Sequence, residues 1–282
     1  IIPVFAKDNE STISHYEFIR STKEVVEEIL DYKGVLKPEI RVSHQIKGRI
    51  PSAVGKPAKD LLEQEKTLYY ERMAFVIEIP EISEIINGNK LSLSIGGVRS
   101  YNQENLFSKK SIEKFKVFIG FQNTVCTNLV ISTDGLKQDI RVSSVLELKA
   151  KIYELINSYD KKKHLQQMNE MSNFSITESE FALLIGKMKL YSFLDKETKR
   201  NLFHLNINDN QINSIIKDYH IDPNFARFEN GNIDFWRLYN LFTEANKSSY
   251  IDNNFEKNVN AYEFINYLAN FIKNDKGNWF LH

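Results

Sequence analysis

The apolar positions change rhythm once along the chain. Up to about residue 142 they form short, strand-like runs broken by Gly, Pro and Asn, and beyond it they lengthen and take a helical period. Strands are predicted at Ile40–Ile46, Leu68–Ile79, Lys90–Val98 and Phe115–Phe121. In the third, Leu91, Leu93 and Ile95 alternate with Ser92 and Ser94, the pattern of a half-buried strand. The fourth sets Phe115, Val117, Ile119 and Phe121 on one face and Lys116, Phe118 and Gly120 on the other. Asn87-Gly88-Asn89 is a turn signal, because both residue types tolerate positive φ. A fifth strand at Leu129–Ser132 turns through Thr133-Asp134-Gly135 into a sixth at Ile140–Val142. Six strands at this spacing predict a mostly antiparallel sheet.

One helix precedes the strands. Ser21-Thr22-Lys23-Glu24 reads as its capping box, Val25, Val26, Ile29 and Leu30 as its apolar stripe, and Gly34 as its stop. In the second half Ser144 caps a segment carrying Leu146, Leu148, Ile152, Leu155 and Ile156, and Thr177-Glu178-Ser179-Glu180 is a capping box opening Phe181–Leu190. Asp209 caps Ile212–Tyr219, Asp234 caps Phe235–Ala245, and Val259–Ile272 closes the set. The expected fold is α+β, with a sheet-based portion at 1–142 and a helical portion at 143–282 packed against it. No repeat or Pro/Gly-rich linker divides the two.

Composition narrows the class without naming a reaction. The 282 residues carry 37 Lys and Arg against 37 Asp and Glu, which excludes a generally basic nucleic-acid coat but permits local patches. At 42% hydrophobic, the chain can fold around a core. A single cysteine, Cys126, makes neither an internal disulfide nor a Cys-based zinc cage, and fits a reducing compartment. No apolar stretch approaches the ~18–20 residues that span a bilayer, so no membrane partner is expected. No signal peptide is read at the start, and the first residue, Ile1, leaves open whether the native N-terminus lies further upstream.

Motif after motif favours the plainer interpretation. Gly55-Lys56 lacks the earlier Gly and following Ser/Thr of a phosphate loop, those places holding Ile50 and Pro57. Glu229–Phe235 imitates half a calcium loop, but the first, third and twelfth ligand positions fall on Ala226, Phe228 and Arg237. Asp134 with Glu147 and Lys149 matches a metal-nuclease spacing, although the last two sit on a predicted helix face that suits them anyway. The six histidines show no zinc spacing. No cofactor, metal or catalytic residue is therefore expected. Asn123, Asn128, Asn240 and Asn246 border apolar elements, where Asn commonly holds turns and strand edges.

Local charge says more. Residues 37–59 carry six basic side chains against Glu39 alone, and residues 99–120 carry five against two acids. Tyr69, Tyr70, Tyr101 and Phe107 lie nearby in sequence. Cations that track phosphates, interleaved with aromatics that stack on bases, are what a single-strand binder needs. The candidate set is Arg41, Lys47, Arg49, Lys56, Arg99, Lys109, Lys110 and Lys116. The same residues also suit a solvated sheet face over core aromatics, and the sequence leaves both readings open.

Several strings resemble a bacterial family of proteins of unknown function carried on plasmids, phages and conjugative elements. They are SHQIKGRIP (43–51), EKTLYYERM (65–73), IGGVRSYN (95–102), FKVFIGFQNTVCTNL (115–129), STDG (132–135) and WRLYNLFTEANKSSYID (236–252). The fourth is also similar to the Val-Cys-x-Asn strand end of the phage/plasmid-like protein family. The resemblance implies a mobile-element context and a cytoplasmic address, and implies no reaction. The leading expectation is a non-enzymatic nucleic-acid-associated protein, such as a recombination or strand-annealing accessory that forms homo-oligomers. The alternatives are a module that binds a host protein through Trp236, Tyr239, Phe242, Tyr250, Trp279 and Phe280, and an enzyme on nucleic acid whose site assembles only in the fold.

Overall fold

The first helix, α1 (His15–Ile29), starts seven residues before the expected capping box. The Ser14 hydroxyl accepts from the Glu17 amide and the Glu17 carboxylate accepts from the Ser14 amide, so Ser14-x-x-Glu17 is the true box. Ser21 and Thr22 lie buried inside the helix instead, with the Thr22 hydroxyl donating to the Phe18 carbonyl at 2.9 Å. Two signals of the same type competed, and the one whose helix buries Phe18, Val25 and Val26 on one side prevailed. The computed structural model describes residues 13–31, 34–53, 55–101, 112–274 and 277–282.

The strands are β1 (Glu39–Val42), β2 (Gln45–Arg49), β3 (Lys66–Tyr70), β4 (Arg72–Ile86), β5 (Asn89–Ser100), β6 (Glu113–Asn123), β7 (Leu129–Val130) and β8 (Leu136–Val142). Six form one antiparallel sheet in the order β1-β4-β5-β6, with β7 and β8 both pairing along the far side of β6. The two expected strands Ile40–Ile46 and Leu68–Ile79 each divide in two, yet their pairing keeps one register. Glu39 lies opposite Val76 and Gln45 opposite Tyr70, and between them the Ser43 amide donates to the Arg72 carbonyl at 2.9 Å. β5 pairs with this ribbon only as far as Arg72, so β2 and β3 project beyond the sheet.

β5 is buried along nearly its whole length rather than half-buried, with Ser92 and Ser94 fully enclosed. The reason is that the sheet is covered on both faces. Phe75, Ile77, Leu93, Val117 and Ile119 enter one large core with α1 and the helical half. On the reverse face Val98, Phe118 and Ile131 pack against Phe255 and Val259.

The helical half comprises α2 (Val145–Ser158), α3 (Lys161–Met171), α4 (Glu178–Tyr191), α5 (Lys196–Arg200), α6 (Asp209–Ile221), α7 (Phe235–Asn246) and α8 (Asn254–Lys273). A small antiparallel pair, β9 (Ser175–Ile176) with β10 (Ile233–Asp234), ties the starts of α4 and α7 together. Ser144, the Thr177–Glu180 box and Asp234 cap as expected, while α6 takes Asn208 rather than Asp209. The periodicity did not predict α3, which buries only His164, Met168 and Met171.

His164 lies within the shared core, its Nδ1 at 2.5 Å from the Tyr159 hydroxyl and its ring edge-on to Phe121 and Tyr262. Burial removes the hydration an imidazolium needs and pulls its pKa down to about 3, only partly offset by Asp134. His15 is likewise lowered to about 4, first by burial and then further by Arg99, against a bond to the Tyr70 carbonyl.

Two outcomes follow from packing and burial. A Cβ at Gly96 would overlap the Phe75 carbonyl oxygen and come within 2.7 Å of Phe118 Cε1, whereas one at Gly186 in α4 meets nothing. Gly96→Ala is expected to destabilise by about 2 kcal/mol or more, and Gly186→Ala to stabilise by roughly 0.5–1 kcal/mol, both read from urea midpoints. Both histidines are neutral in the folded chain and take up protons when it unfolds below pH ~6.5, so their stability contribution is present above that pH and lost towards pH 4. His164 alone contributes roughly 2 kcal/mol of difference between pH 6.5 and 5. A flatter stability profile over that range in His164→Gln checks the assignment.

Candidate nucleic-acid interface

Side chains alternate faces along a strand, so residues of like parity in the continuous ribbon share a side. Arg41, Ser43, Gln45, Lys47 and Arg49 therefore stand on one face, opposite Ala74, Arg72, Tyr70, Leu68 and Lys66. The Gln45 carboxamide donates to the Tyr70 hydroxyl at 3.1 Å across this face. Arg41 and Lys47 are exposed, and Arg49 donates to the Lys56 carbonyl near the ribbon tip. Three of the predicted cations thus form one stripe.

The other predicted cations part company with it. Lys56 is exposed but paired with Glu65. Arg99 is buried, its guanidinium 3.4 Å from Glu113 and its central carbon 4.7 Å from the ring centres of both Tyr101 and Phe115. Lys116 is buried too, donating to the Asp252 carbonyl at 2.6 Å and paired with Glu256. Neither reaches a phosphate, because a charge removed from water is retained only when protein groups satisfy it. Lys109 and Lys110 lie outside the described residues, as does Phe107, and Tyr101 is a core residue. The two basic stretches therefore do not meet in one channel among the described residues.

The stripe leads instead to a cleft between the layers. Beside Arg41, the open part of the reverse sheet face supplies Ala74, Val76 and Leu129 as an apolar floor. The loop between α7 and α8 and the start of α8 supply Ile251 and Phe255 as the facing wall. Its polar lining includes Gln122, Asn128, Thr243 and Asn258, and Arg41, Glu39 and Lys247 are its charged residues. The cleft holds about 120 Å³, room for several waters or one small heterocycle. The Asn128 carboxamide donates to the Asn240 carbonyl at 3.3 Å, while its Oδ1 is buried without a hydrogen-bond partner.

The remaining motifs resolve simply. Glu147 and Lys149 sit on α2, Glu147 accepting from the Ser143 amide and Lys149 paired with Glu24 at 2.6 Å, while the Asp134 carboxylate accepts from the Ser132 hydroxyl and the Asp160 amide. Gly231 adopts φ +83° in a turn that leads to the Asp234 cap. Burial raises the Cys126 thiol above its ordinary range. Among the described residues no group of His, Cys, Asp or Glu has the arrangement of a metal site, and no helix is long and apolar enough to cross a membrane. Trp236, Tyr239, Phe242 and Phe280 are core residues, leaving only Tyr250 exposed and Trp279 half-buried in the aromatic surface expected to meet a host protein.

The model of a family described as "Domain of unknown function, B. Theta Gene description" (DUF3871) matches residues 1–281. No curated protein and no solved structure matches the chain.

The burial of Lys116 generates a direct test. Lys116→Met strands Glu256 and the Asp252 carbonyl, and is expected to cost about 3 kcal/mol in chemical denaturation. Adding Glu256→Gln should recover part of that loss. A single variant as stable as the parent would show that the pair does not join the layers.

Proposed function

The chain belongs to the DUF3871 family, and on that premise we propose that it is a nucleic-acid-associated protein whose projecting β-ribbon tracks the phosphates of a single strand. One observation carries this reading: Arg41, Lys47 and Arg49 share one face of one ribbon that leaves the body of the sheet. Among the described residues neither Arg41 nor Lys47 enters an ion pair, so both charges remain available to a polyanion. Two-stranded ribbons are an established way of presenting side chains to nucleic acid. The role of recombination or strand-annealing accessory within a mobile element, in a cytoplasmic setting and as a homo-oligomer, is part of the same proposal. Its support is the resemblance of strings such as SHQIKGRIP and WRLYNLFTEANKSSYID to proteins of such elements.

The measurement is fluorescence anisotropy of a labelled single-stranded oligonucleotide across salt concentrations. Three phosphate contacts at ~0.7 counterions each give a slope of log K against log salt near −2. The triple variant Arg41→Ala, Lys47→Ala, Arg49→Ala is expected to bind at least about tenfold more weakly at low salt and to lose most of that slope. Absence of binding at low salt, or an unchanged slope in the triple variant, sinks the proposal.

A further inference from the structure

We infer that the cleft at the root of the ribbon accommodates one nucleobase, its phosphate lying at the rim beside Arg41. The inference extends the ribbon reading, shares Arg41 with it, and otherwise stands on different side chains. Its floor and facing wall are apolar, with Val76 and Leu129 on the sheet and Ile251 and Phe255 on the helical side, which suits a flat ring inserted between layers. Apart from Glu39, Arg41 and Lys247, its polar side chains are carboxamides and hydroxyls. A carboxamide offers a donor and an acceptor side by side, the arrangement that pairs with the edge of a base. Asn128 already commits its donor to Asn240, and its Oδ1 remains a buried acceptor without a partner. Such an acceptor costs free energy unless a donor is brought to it, and the exocyclic amine of a base is such a donor. Gln122 lines the same cleft from the neighbouring strand β6 and can complete the contact.

The surroundings fit the remainder of a nucleotide. Arg41 belongs to the cationic face of the ribbon and lines the cleft as well, so one residue joins the two sites. Lys247 also borders the cleft, its ammonium donating to the Cys126 carbonyl and paired with Glu244 at 2.6 Å, so Arg41 is the cation left for the phosphate. A metal ion alone would ask for clustered carboxylates, and Glu39 is the sole carboxylate among the lining residues described. A base with its phosphate uses the amides, the apolar walls and Arg41 together.

The test is isothermal titration of the full chain with each of the four nucleoside monophosphates and with ribose 5-phosphate as the base-free control. At least one monophosphate is expected to bind and ribose 5-phosphate to bind at least about tenfold more weakly. Gln122→Leu removes the free carboxamide at nearly constant volume and should weaken the monophosphate about tenfold, with the thermal midpoint little changed. Asn128→Ala should do the same, and if it unfolds because the Asn240 contact is lost, Gln122→Leu alone decides. Oligonucleotides with and without abasic positions separate the sources. Tighter binding of intact strands points to a base within a chain, and equal binding of both to a free nucleotide. If no monophosphate binds, or if Gln122→Leu binds as the parent does, the inference is overturned. Oligonucleotide binding lost in Lys47→Ala, Arg49→Ala, which leaves Arg41 at the cleft in place, is a separate result and tests only the ribbon.

Discussion

Lys116 decides how the two layers meet. Its ammonium leaves β6 on the reverse face of the sheet, where it would be solvated if that face were bare. Instead it meets the Asp252 carbonyl and the Glu256 carboxylate, both contributed by the segment that leads into and opens α8. Arg72 of β4 reaches Asp252 from another strand at 3.3 Å, so two cations hold one short segment against the sheet. Removing a charge from water is costly, and the arrangement persists because the partners are close and Phe118, Phe255 and Val259 seal the surroundings. A buried pair of this kind contributes less net stability than specificity of position: with any other placement of α8 the charge would be left unpaired.

That placement is reinforced by amides. Asn128 donates to Asn240 of α7, Asn246 donates to Asn258 of α8 at 3.1 Å, and Gln211 of α6 donates to Ser249 at 2.9 Å and receives Lys257 at 2.7 Å. The hydrophobic contacts of Trp236, Phe242 and Phe264 bring the helices together without fixing their axial offset, since apolar surfaces slide at little cost. A chain of directional bonds in a low-dielectric interior tolerates one offset only. The same network carries Asn128 to the wall of the cleft, so the part of the fold that sets helix register also shapes a place where the covering of the reverse face is incomplete.

How much of this was legible depended on the range over which each signal acts. Caps act over three residues, and Ser144, Thr177 and Asp234 were readable because nothing distant competes with them. At the N-terminus two equivalent boxes lay seven residues apart, and only the burial of Phe18 against Phe75 and Phe115 distinguished them. The alternation of β6 was read correctly, while that of β5 misled: serines at 92 and 94 signify a solvent face only if nothing covers it, and part of the cover of that face, Phe255 and Val259, comes some 160 residues later. α3 escaped notice because its sequence is dominated by Lys, Gln and Asn, and three buried side chains suffice to dock it.

Charge was the least local signal of all. Counting cations along 37–59 and 99–120 weighted Arg41 and Lys116 equally, although one is exposed and the other is matched by the Asp252 carbonyl and the Glu256 carboxylate. What distinguished them in the sequence was parity rather than number. Arg41, Lys47 and Arg49 fall on odd positions on either side of Ser43-His44, and a register that stays constant across that interruption turns the alternation into one face. Arg99 follows Val98 in a strand buried on both sides, where an arginine survives only by stacking on aromatics and meeting a carboxylate. A basic residue flanked by continuous apolar strand is therefore better read as a structural ion than as a phosphate contact. A basic residue repeating at period two on an exposed strand face has no such duty, and its charge stays at the surface for a ligand to use.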